Sequence, residues 1–207
     1  MAAGGILVAI NTRLNSDEIG YILQHSGARM LFVDDELAPL VEPLDLSGLQ
    51  VVRIADTATL DDPYEQYLAA GASEPVESWL EDEDETISIN YTSGTTGRPK
   101  GVMYTYRGAY LNALAQVAEP AMTPDSVYLW TLPMFHCNGW CFPWAVTAIA
   151  GTHVCLRKVD FGQIWELIDG EGVTHYCGAP TVQIGLMNHP AAHRLERPVT
   201  VLVAGAP

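Results

Sequence analysis

Apolar residues recur along the chain in two patterns. Short runs of apolar or alternating residues, bounded by turn residues, are typical of β-strands. The sequence contains eight such runs, at residues 6–10, 30–33, 51–54, 86–91, 127–132, 153–156, 174–176 and 199–203. Segments with apolar residues three and four apart lie between most of them and predict helices. This alternation of strands and helices predicts an α/β fold.

The predicted helices differ in how well the sequence marks their ends. Asn15 and Glu18 form a capping-box pattern that begins a helix, and Gly27 ends it. The next predicted helix, 37–46, has a weak pattern. A helix is predicted over 106–119, where Tyr110, Leu111, Leu114 and Val117 recur at helical spacing. Further helices are predicted near 63–70, 139–150, 161–169 and 181–188.

One segment concentrates small and hydroxyl-bearing residues. It runs Thr92, Ser93, Gly94, Thr95, Thr96, Gly97, Arg98, Pro99, Lys100, Gly101. Glycine allows close approach of the backbone to a ligand, successive N–H groups form an anion-binding concavity, and hydroxyls add donors. A lysine ammonium group suits phosphate oxygens. The segment therefore predicts a phosphate-binding loop, placed at a strand end between a strand and a helix. The alternative is an ordinary polar loop between two strands.

The spacing of this loop differs from that of a Walker P-loop. The Walker motif places Gly-Lys before Ser or Thr, whereas Lys100 lies between Pro99 and Gly101. A variant P-loop NTPase would also need an apolar run ending in Asp. The nearest candidate, Phe32-Val33-Asp34, lies upstream in another part of the chain.

The acidic residues are unevenly distributed. Residues 1–85 hold eighteen acidic and three basic residues, whereas 86–207 hold seven of each, so the net charge of −15 comes from the first part. Seven acids cluster between Glu74 and Glu85 and predict a solvated linker. The predicted organisation is a first α/β segment at 1–73, the linker at 74–85 and a second segment at 86–207. No basic patch supports nucleic-acid binding.

Composition predicts a folded protein in a reducing compartment. Apolar residues make up 48% of the chain, and the longest apolar stretch, near 140–150, is too short to span a bilayer. Four cysteines in 207 residues do not form a disulfide framework, and free thiols fit the cytoplasm. Cys137 and Cys141 lack the second ligand pair of a closed zinc site, so no metal ligands are predicted.

Four segments together resemble the adenylate-forming enzymes, a superfamily that includes acyl-CoA synthetases. Residues 91–102 resemble their phosphate-binding signature, and Leu132-Pro133-Met134-Phe135-His136-Cys137-Asn138-Gly139-Trp140 resembles their acid-pocket motif. Residues 4–14 and 203–207 are similar to flanking segments of the same family. The form of the acid-pocket motif is closer to fatty- or aryl-acid CoA ligases than to peptide-synthetase domains.

The resemblance implies an ATP-dependent acid–CoA ligase with ATP, Mg²⁺ and CoA. Its polyphosphate-binding residues are Thr92, Ser93, Thr95, Thr96 and Lys100, with Gly94, Gly97 and Gly101 permitting the turn. Gly205, Ala206 and Pro207 border the adenine and acyl pocket, and His136 meets the carboxylate of the acid. From the residues alone, a structural histidine at a strand end is the favoured interpretation of His136, and the resemblance reverses that preference.

The resemblance also implies that the chain is an internal fragment of the N-terminal domain. The family's glutamate ligand for magnesium and its mobile C-terminal domain belong to motifs beyond Pro207. We therefore expect the 207 residues alone not to turn over. A non-catalytic nucleotide- or anion-binding module is the alternative.

Overall fold

The computed structural model describes residues 4–77, 80–92 and 97–204. Contacts divide the chain into two compact units, Met1–Thr105 and Tyr106–Pro207. Each unit combines parallel strands with helices, so the predicted α/β class is confirmed. No helix within the described ranges is long and apolar enough to cross a membrane.

The first unit contains two small sheets. One sheet has the order β1-β4-β5, with β4 parallel to β1 and antiparallel to β5, and the other pairs β2 with β3 in parallel. The elements are β1 Leu7–Val8, α1 Ser16–Ser26, β2 Met30–Asp34, a 3₁₀ turn Asp35–Leu37, α2 Ala38–Val41, β3 Gln50–Ile54, α3 Pro63–Ala69, β4 Thr86–Tyr91 and β5 Gly101–Thr105.

Helix α1 has the ends that the sequence predicts. The Asn15 side chain accepts from the Glu18 N–H at 3.0 Å, and the Glu18 carboxylate accepts from the Asn15 N–H at 3.1 Å. Gly27 ends the helix in the left-handed region, with φ of 66°. Ile19 and Leu23 on the buried face of α1 pack with Val33 of β2, which attaches the helix to its unit.

The second unit is built on one four-stranded parallel sheet in the order β7-β6-β8-β9. The central strand β6 is buried on both faces, as parallel strands usually are. Its Tyr128 packs on the side of Phe142, and its Leu129 packs on the side of Ile164. The elements are α4 Tyr106–Ala118, β6 Val127–Leu129, α5 Cys137–Trp140, α6 Phe142–Ala148, β7 Thr152–Val154, α7 Phe161–Gly170, β8 His175–Cys177, α8 Pro180–Asn188 and β9 Thr200–Leu202.

Two predicted helices differ from the observed ones. The predicted helix 37–46 is reduced to the 3₁₀ turn and α2. Glu42 still has helical φ and ψ of −54° and −37°, but Pro43 has no N–H to donate to a helical carbonyl, so the helix ends there. The predicted helix 139–150 begins only at Phe142, because Gly139, Trp140 and Cys141 have φ values of 55°, 55° and 65°, in the left-handed region.

The acidic segment 74–85 lies inside the first compact unit. Strand β4 follows this segment and pairs with β1, which precedes it, so the contacts on both sides belong to one unit. The boundary between the compact units falls between Thr105 and Tyr106. Strand pairing, which the charge pattern does not report, joins the two flanks of the acidic segment, and its role as a linker stays a prediction.

Candidate functional site

The segment between β4 and β5 carries the predicted phosphate-binding residues. The two strands are antiparallel, and Tyr91 pairs with Gly101 at the end of the ladder. Beyond this pair, the Thr92 N–H donates to the Lys100 carbonyl oxygen at 3.0 Å. The segment is therefore a hairpin loop, and Thr92 and Lys100 face each other across its base. The predicted strand–loop–helix order is wrong in one respect, because β5 lies between the loop and α4 in the chain.

The loop presents a hydroxyl group and an ammonium group near its two ends. The side chains of Thr92 and Lys100 are both exposed. Within the described ranges, Lys100 forms no ion pair that would neutralise its charge. A threonine hydroxyl and a lysine ammonium are donors of the kind that phosphate oxygens accept. These two groups are therefore available to an anion in the loop.

Several predicted ligands cannot be located. Ser93, Gly94, Thr95 and Thr96 lie outside the described residues, and so do Gly205, Ala206 and Pro207. Strand β9 ends at Leu202, shortly before the last three.

Gly101 acts through its lack of a side chain rather than through an unusual backbone. Neither Gly97 nor Gly101 has a positive φ. A Cβ atom at Gly101 would lie 2.8 Å from the Ile89 Cγ2 atom and 3.3 Å from the Tyr91 ring. Gly101 therefore leaves room for neighbouring side chains, whereas the sequence predicted that it permits the turn. At Gly97 the corresponding space is open.

Helix α1 contacts the residues on both sides of the loop. The His25 Nδ1 atom lies 2.7 Å from the Tyr91 hydroxyl, and Tyr91 directly precedes Thr92. The Tyr21 ring stacks on His25 with centroids 5.1 Å apart. Its other neighbour is the Arg98 guanidinium, 5.3 Å from the ring centroid. We call Tyr21, His25, Tyr91 and Arg98 the α1 brace.

The α1 brace ties the loop to a capped helix. The Tyr21 hydroxyl also donates to the Pro99 carbonyl oxygen at 3.4 Å. Burial raises the pKa of Tyr91, so its hydroxyl stays protonated at neutral pH and can donate to His25. The α1 brace is not among the features predicted from the sequence. Its local signal was the spacing of four between Tyr21 and His25, which places two rings on one helix face.

His136, the predicted acid-pocket residue, lies in the second unit. Its side chain is exposed, and its backbone precedes α5, with φ of −81° and ψ of 110°. The His136 N–H donates to the Pro133 carbonyl oxygen at 3.0 Å, and the His136 carbonyl accepts from the Gly139 N–H at 2.9 Å. The backbone of His136 is therefore held from both sides while its imidazole faces outward.

The residues after His136 form a left-handed turn, residues 137–141. Its five residues have φ values of 50°, 51°, 55°, 55° and 65° in chain order. The left-handed conformation costs about 1–2 kcal/mol for each L-residue, although less for Gly and Asn. Such strain persists only where the surroundings impose it, and it is concentrated at functional sites. The turn is thus the most strained described segment of the acid-pocket motif.

Buried contacts hold this turn in place. Asn138 and Gly139 are buried, and a Cβ atom at Gly139 would lie 2.6 Å from the Cζ3 atom of Trp130. The Asn112 side-chain amide on α4 donates to the Cys141 sulfur at 3.1 Å. Burial also raises the pKa of the Cys141 thiol, so this cysteine has the environment of a packing residue.

The described residues contain no group of three or more His, Cys, Asp and Glu side chains that could hold a metal ion. The predicted site residues that the structure describes belong to two different compact units. Thr92, Gly97, Lys100 and Gly101 come together in and beside the hairpin loop of the first unit. His136 stands at the left-handed turn of the second unit.

Comparison with known proteins supports a common family. The 4-hydroxybutyrate–CoA ligase 2 of Metallosphaera sedula is 42% identical over 220 residues, which cover 99% of this chain and 40% of that protein. The acetate–CoA ligase CCL3 of Humulus lupulus is 39% identical over 228 residues, with coverages of 99% and 40%. The chain thus spans about 40% of the length of these curated relatives.

The fold is similar to that of a solved N-terminal domain. The inhibitor-bound N-terminal domain of FACL13 from Mycobacterium tuberculosis matches with a TM-score of 0.79 and 25% identity, over 96% of this chain and 50% of that chain. This match confirms the prediction of an acyl-CoA-synthetase-like N-terminal fold. A family model described as AMP-binding enzyme matches residues 1–207. Because that match extends over the whole chain, the chain belongs to the family of AMP-binding enzymes.

Proposed function

We propose that the protein containing this chain is an AMP-forming carboxylic acid–CoA ligase. The observation that carries the proposal is the family match over residues 1–207, which includes the hairpin loop with its exposed Thr92 and Lys100. The ligase names of the two relatives support the reaction type. The strand that follows the loop supports the exclusion of a Walker-type NTPase, whose lysine leads into a helix.

The reaction has two steps. A carboxylate oxygen attacks the α-phosphorus of ATP, the bond to the bridging oxygen breaks, and pyrophosphate leaves with an acyl-adenylate as product. The CoA thiol, after loss of its proton, then attacks the acyl carbon and AMP leaves. In such a scheme the protein chiefly positions the reactants and stabilises charge that develops on the leaving phosphates.

The hairpin loop would bind the β- and γ-phosphates. Lys100 would supply a positive charge and Thr92 a hydroxyl donor, together with Ser93, Thr95 and Thr96. Gly94 and Gly97 would let the backbone approach the phosphates, and Gly101 keeps the base of the loop free of a side chain. The described residues do not form a metal-ligand cluster, so we assign no step to Mg²⁺. The cation would arrive with ATP on its phosphate oxygens.

His136 would meet the carboxylate of the acid. Its imidazole is exposed and makes no hydrogen bond with another described residue, so it is free to donate to a bound carboxylate. Gly205, Ala206 and Pro207 would border the adenine and acyl groups. None of the described residues is assigned to CoA.

Replacement of Lys100 tests the phosphate assignment. In the full-length protein, Lys100→Ala should lower kcat/KM for ATP about tenfold to a hundredfold, because a hydrogen bond to a charged group contributes about 1.5–3 kcal/mol. The assay is ATP–pyrophosphate exchange with a saturating acid. The matched control is Lys158→Ala, which removes the other lysine of the chain from an exposed position after β7. Equal ATP kinetics in the two variants would remove Lys100 from the phosphate site.

The acid should be sought first among short carboxylic acids. The two relatives are named for 4-hydroxybutyrate and acetate. A panel from acetate to long-chain and aryl acids, assayed with the full-length protein by pyrophosphate release, would give the preferred chain length. We also propose a cytoplasmic location, since all four cysteines are free thiols.

A further inference from the structure

A chain of hydrogen bonds in the second unit fixes the state of His153. The Trp130 indole Nε1–H donates to the His153 Nδ1 atom at 3.0 Å. The His153 Nε2 atom lies 3.1 Å from the Thr147 Oγ1 atom, which in turn donates to the Pro143 carbonyl oxygen at 2.6 Å. The Trp130 and His153 rings are nearly parallel, with 8° between their planes and 5.9 Å between their centroids.

The direction of each bond follows from the donors available. An indole nitrogen only donates, so the His153 Nδ1 atom must be unprotonated. The proton of the neutral imidazole therefore lies on Nε2 and is donated to Thr147 Oγ1. The hydroxyl proton of Thr147 is directed to Pro143. The network is complete only with a neutral imidazole in this one tautomer.

The opposite end of the Trp130 indole supports the left-handed turn. The Cζ3 and Cη2 atoms of its six-membered ring would lie 2.6 Å and 3.0 Å from a Cβ atom at Gly139. Trp130 is only 3% exposed and packs edge-on against Tyr128, with ring centroids 4.9 Å apart. His153 thus holds one end of a rigid side chain whose other end lies against Gly139. The Gly139 N–H in turn binds the carbonyl of His136.

Protonation of His153 would break this arrangement. A second proton on Nδ1 would oppose the indole N–H, and the bond between Trp130 and His153 would be lost. No Asp, Glu, Lys or Arg occurs in β6, β7 or α6, the elements around His153. The titratable groups on or directly beside them are Tyr128, Cys141 and Cys155, and burial raises the pKa of Tyr128 and Cys141. These three elements therefore supply no carboxylate that would favour imidazolium.

We propose that His153 is a positioning residue for the acid site: through Trp130, its neutral imidazole fixes the left-handed turn and thereby the place of His136. The structural part concerns only described contacts, whereas the consequence for the acid rests on the proposed ligase function. Partial burial lowers the pKa of His153 below 6.5. The positioning is therefore complete above that pH and is lost as the pH falls through the lowered pKa.

The structural part is tested without any activity assay. In the full-length protein, ¹⁵N-tryptophan spectra of wild type and Trp130→Phe identify the Trp130 indole resonance. We expect it to shift below pH 6.5 together with the His153 ring signals. Hydrogen exchange at the Gly139 amide should be about fivefold faster in His153→Leu, as expected for loss of one supporting hydrogen bond. A pH-independent indole resonance during His153 titration, or unchanged Gly139 exchange in a folded variant, would overturn the proposal.

The effect of His153 on binding of the acid is tested by substitutions at His153 and Thr147. His153→Leu should raise KM for the carboxylic acid about fivefold and leave KM for ATP within about twofold. His153→Asn retains an acceptor near the Nδ1 position and carries no charge at any pH. It should preserve KM for the acid at pH 7 and abolish the wild-type rise in this KM below pH 6.5. Thr147→Val, at an exposed position, should produce a smaller effect in the same direction.

The spectroscopic and kinetic experiments together distinguish a wrong role for His153 from a wrong ligase function. An inactive wild-type protein with the expected indole and Gly139 behaviour would support the positioning network and refute the ligase function. A fully active His153→Leu variant with unchanged KM for the acid would overturn the role of His153, although the ligase function would stand. A uniform fall in kcat with both KM values unchanged would also overturn it, because that result indicates a merely structural residue.

Discussion

Gly139 combines a positive φ with a lack of space for a side chain. Its φ is 55°, and Trp130 occupies the position where a Cβ atom would lie. An Asn-Gly pair favours a turn, and the structure has a turn at Asn138-Gly139. The sequence could not predict that Cys137, Trp140 and Cys141 would also be left-handed. Local preference opposes that conformation, and buried contacts across the unit impose it.

Gly139→Ala should be strongly destabilising. The added methyl group meets the Trp130 ring at 2.6 Å, and alanine disfavours positive φ, so we expect a loss of about 2–4 kcal/mol in the free energy of unfolding. Urea denaturation of the full-length protein measures this loss. Gly170→Ala is the control, because Gly170 ends α7 with no neighbouring atom within 4 Å of an added Cβ atom. Equal stability of the two variants would contradict the steric account.

At the scale of elements, local signals predicted helix ends better than buried faces. The capping box and Gly27 of α1 act within a few residues, so the sequence is sufficient to predict them. In α4 the apolar residues Tyr110 and Leu114 are 64% and 47% exposed, whereas Ala109 and Ala113 are buried. Helix α4 packs against α6, and small residues let two helices approach closely. The periodicity gave the helix but not the face that packs.

The α1 brace makes a prediction about one element acting on another. Tyr91→Phe removes the hydroxyl that lies 2.7 Å from the His25 Nδ1 atom but keeps the ring contact. We expect KM for ATP to rise about twofold to fivefold, because one hydrogen bond near the hairpin loop is lost. KM for the acid should not change. Steady-state kinetics of the full-length protein measure both constants.

Tyr110→Phe is the control for this variant, since Tyr110 lies exposed on α4. The brace would have no influence on the loop if Tyr91→Phe and Tyr110→Phe had the same KM for ATP.

At the scale of the whole molecule, the alternation of strands and helices was enough to predict the class. It was not enough to predict which strands pair. Strand β4 pairs with β1, although most of the sequence of the first unit separates them. In the sheet of the second unit β6 lies between β7 and β8, so the order of the strands in the sheet differs from their order in the chain. Such pairings depend on long-range burial, which periodicity does not report. Thr92 and Lys100 belong to a local motif, so the sequence predicts that they share one loop, and their part in phosphate binding stays a proposal. The α1 brace joins residues that are far apart in the chain, so it could not be predicted from a local motif.

The four thiols should differ sharply in reactivity. Cys155 is exposed, whereas Cys141 and Cys177 are each 1% exposed, and burial raises the pKa of Cys177 to about 11. Since the thiolate is the reactive form, Cys155 should be alkylated first at pH 8. Cys141 and Cys177 should react only on unfolding. Iodoacetamide labelling with peptide mass spectrometry measures each site, and Cys155→Ser should remove the fast label. Rapid native labelling at Cys177 would contradict the described core.

The pairing of Leu7 with Ser88 has a consequence for biosynthesis. During translation β1 leaves the ribosome long before its partner β4 has been made. Its N–H and C=O groups then have no ladder partner, and unpaired edges in nascent chains invite association with other chains. Because β1 is only two residues long, the unpaired strand edge is short. The first sheet can close only after β4 emerges, so ribosome-bound chains that stop before residue 86 should depend most on chaperones.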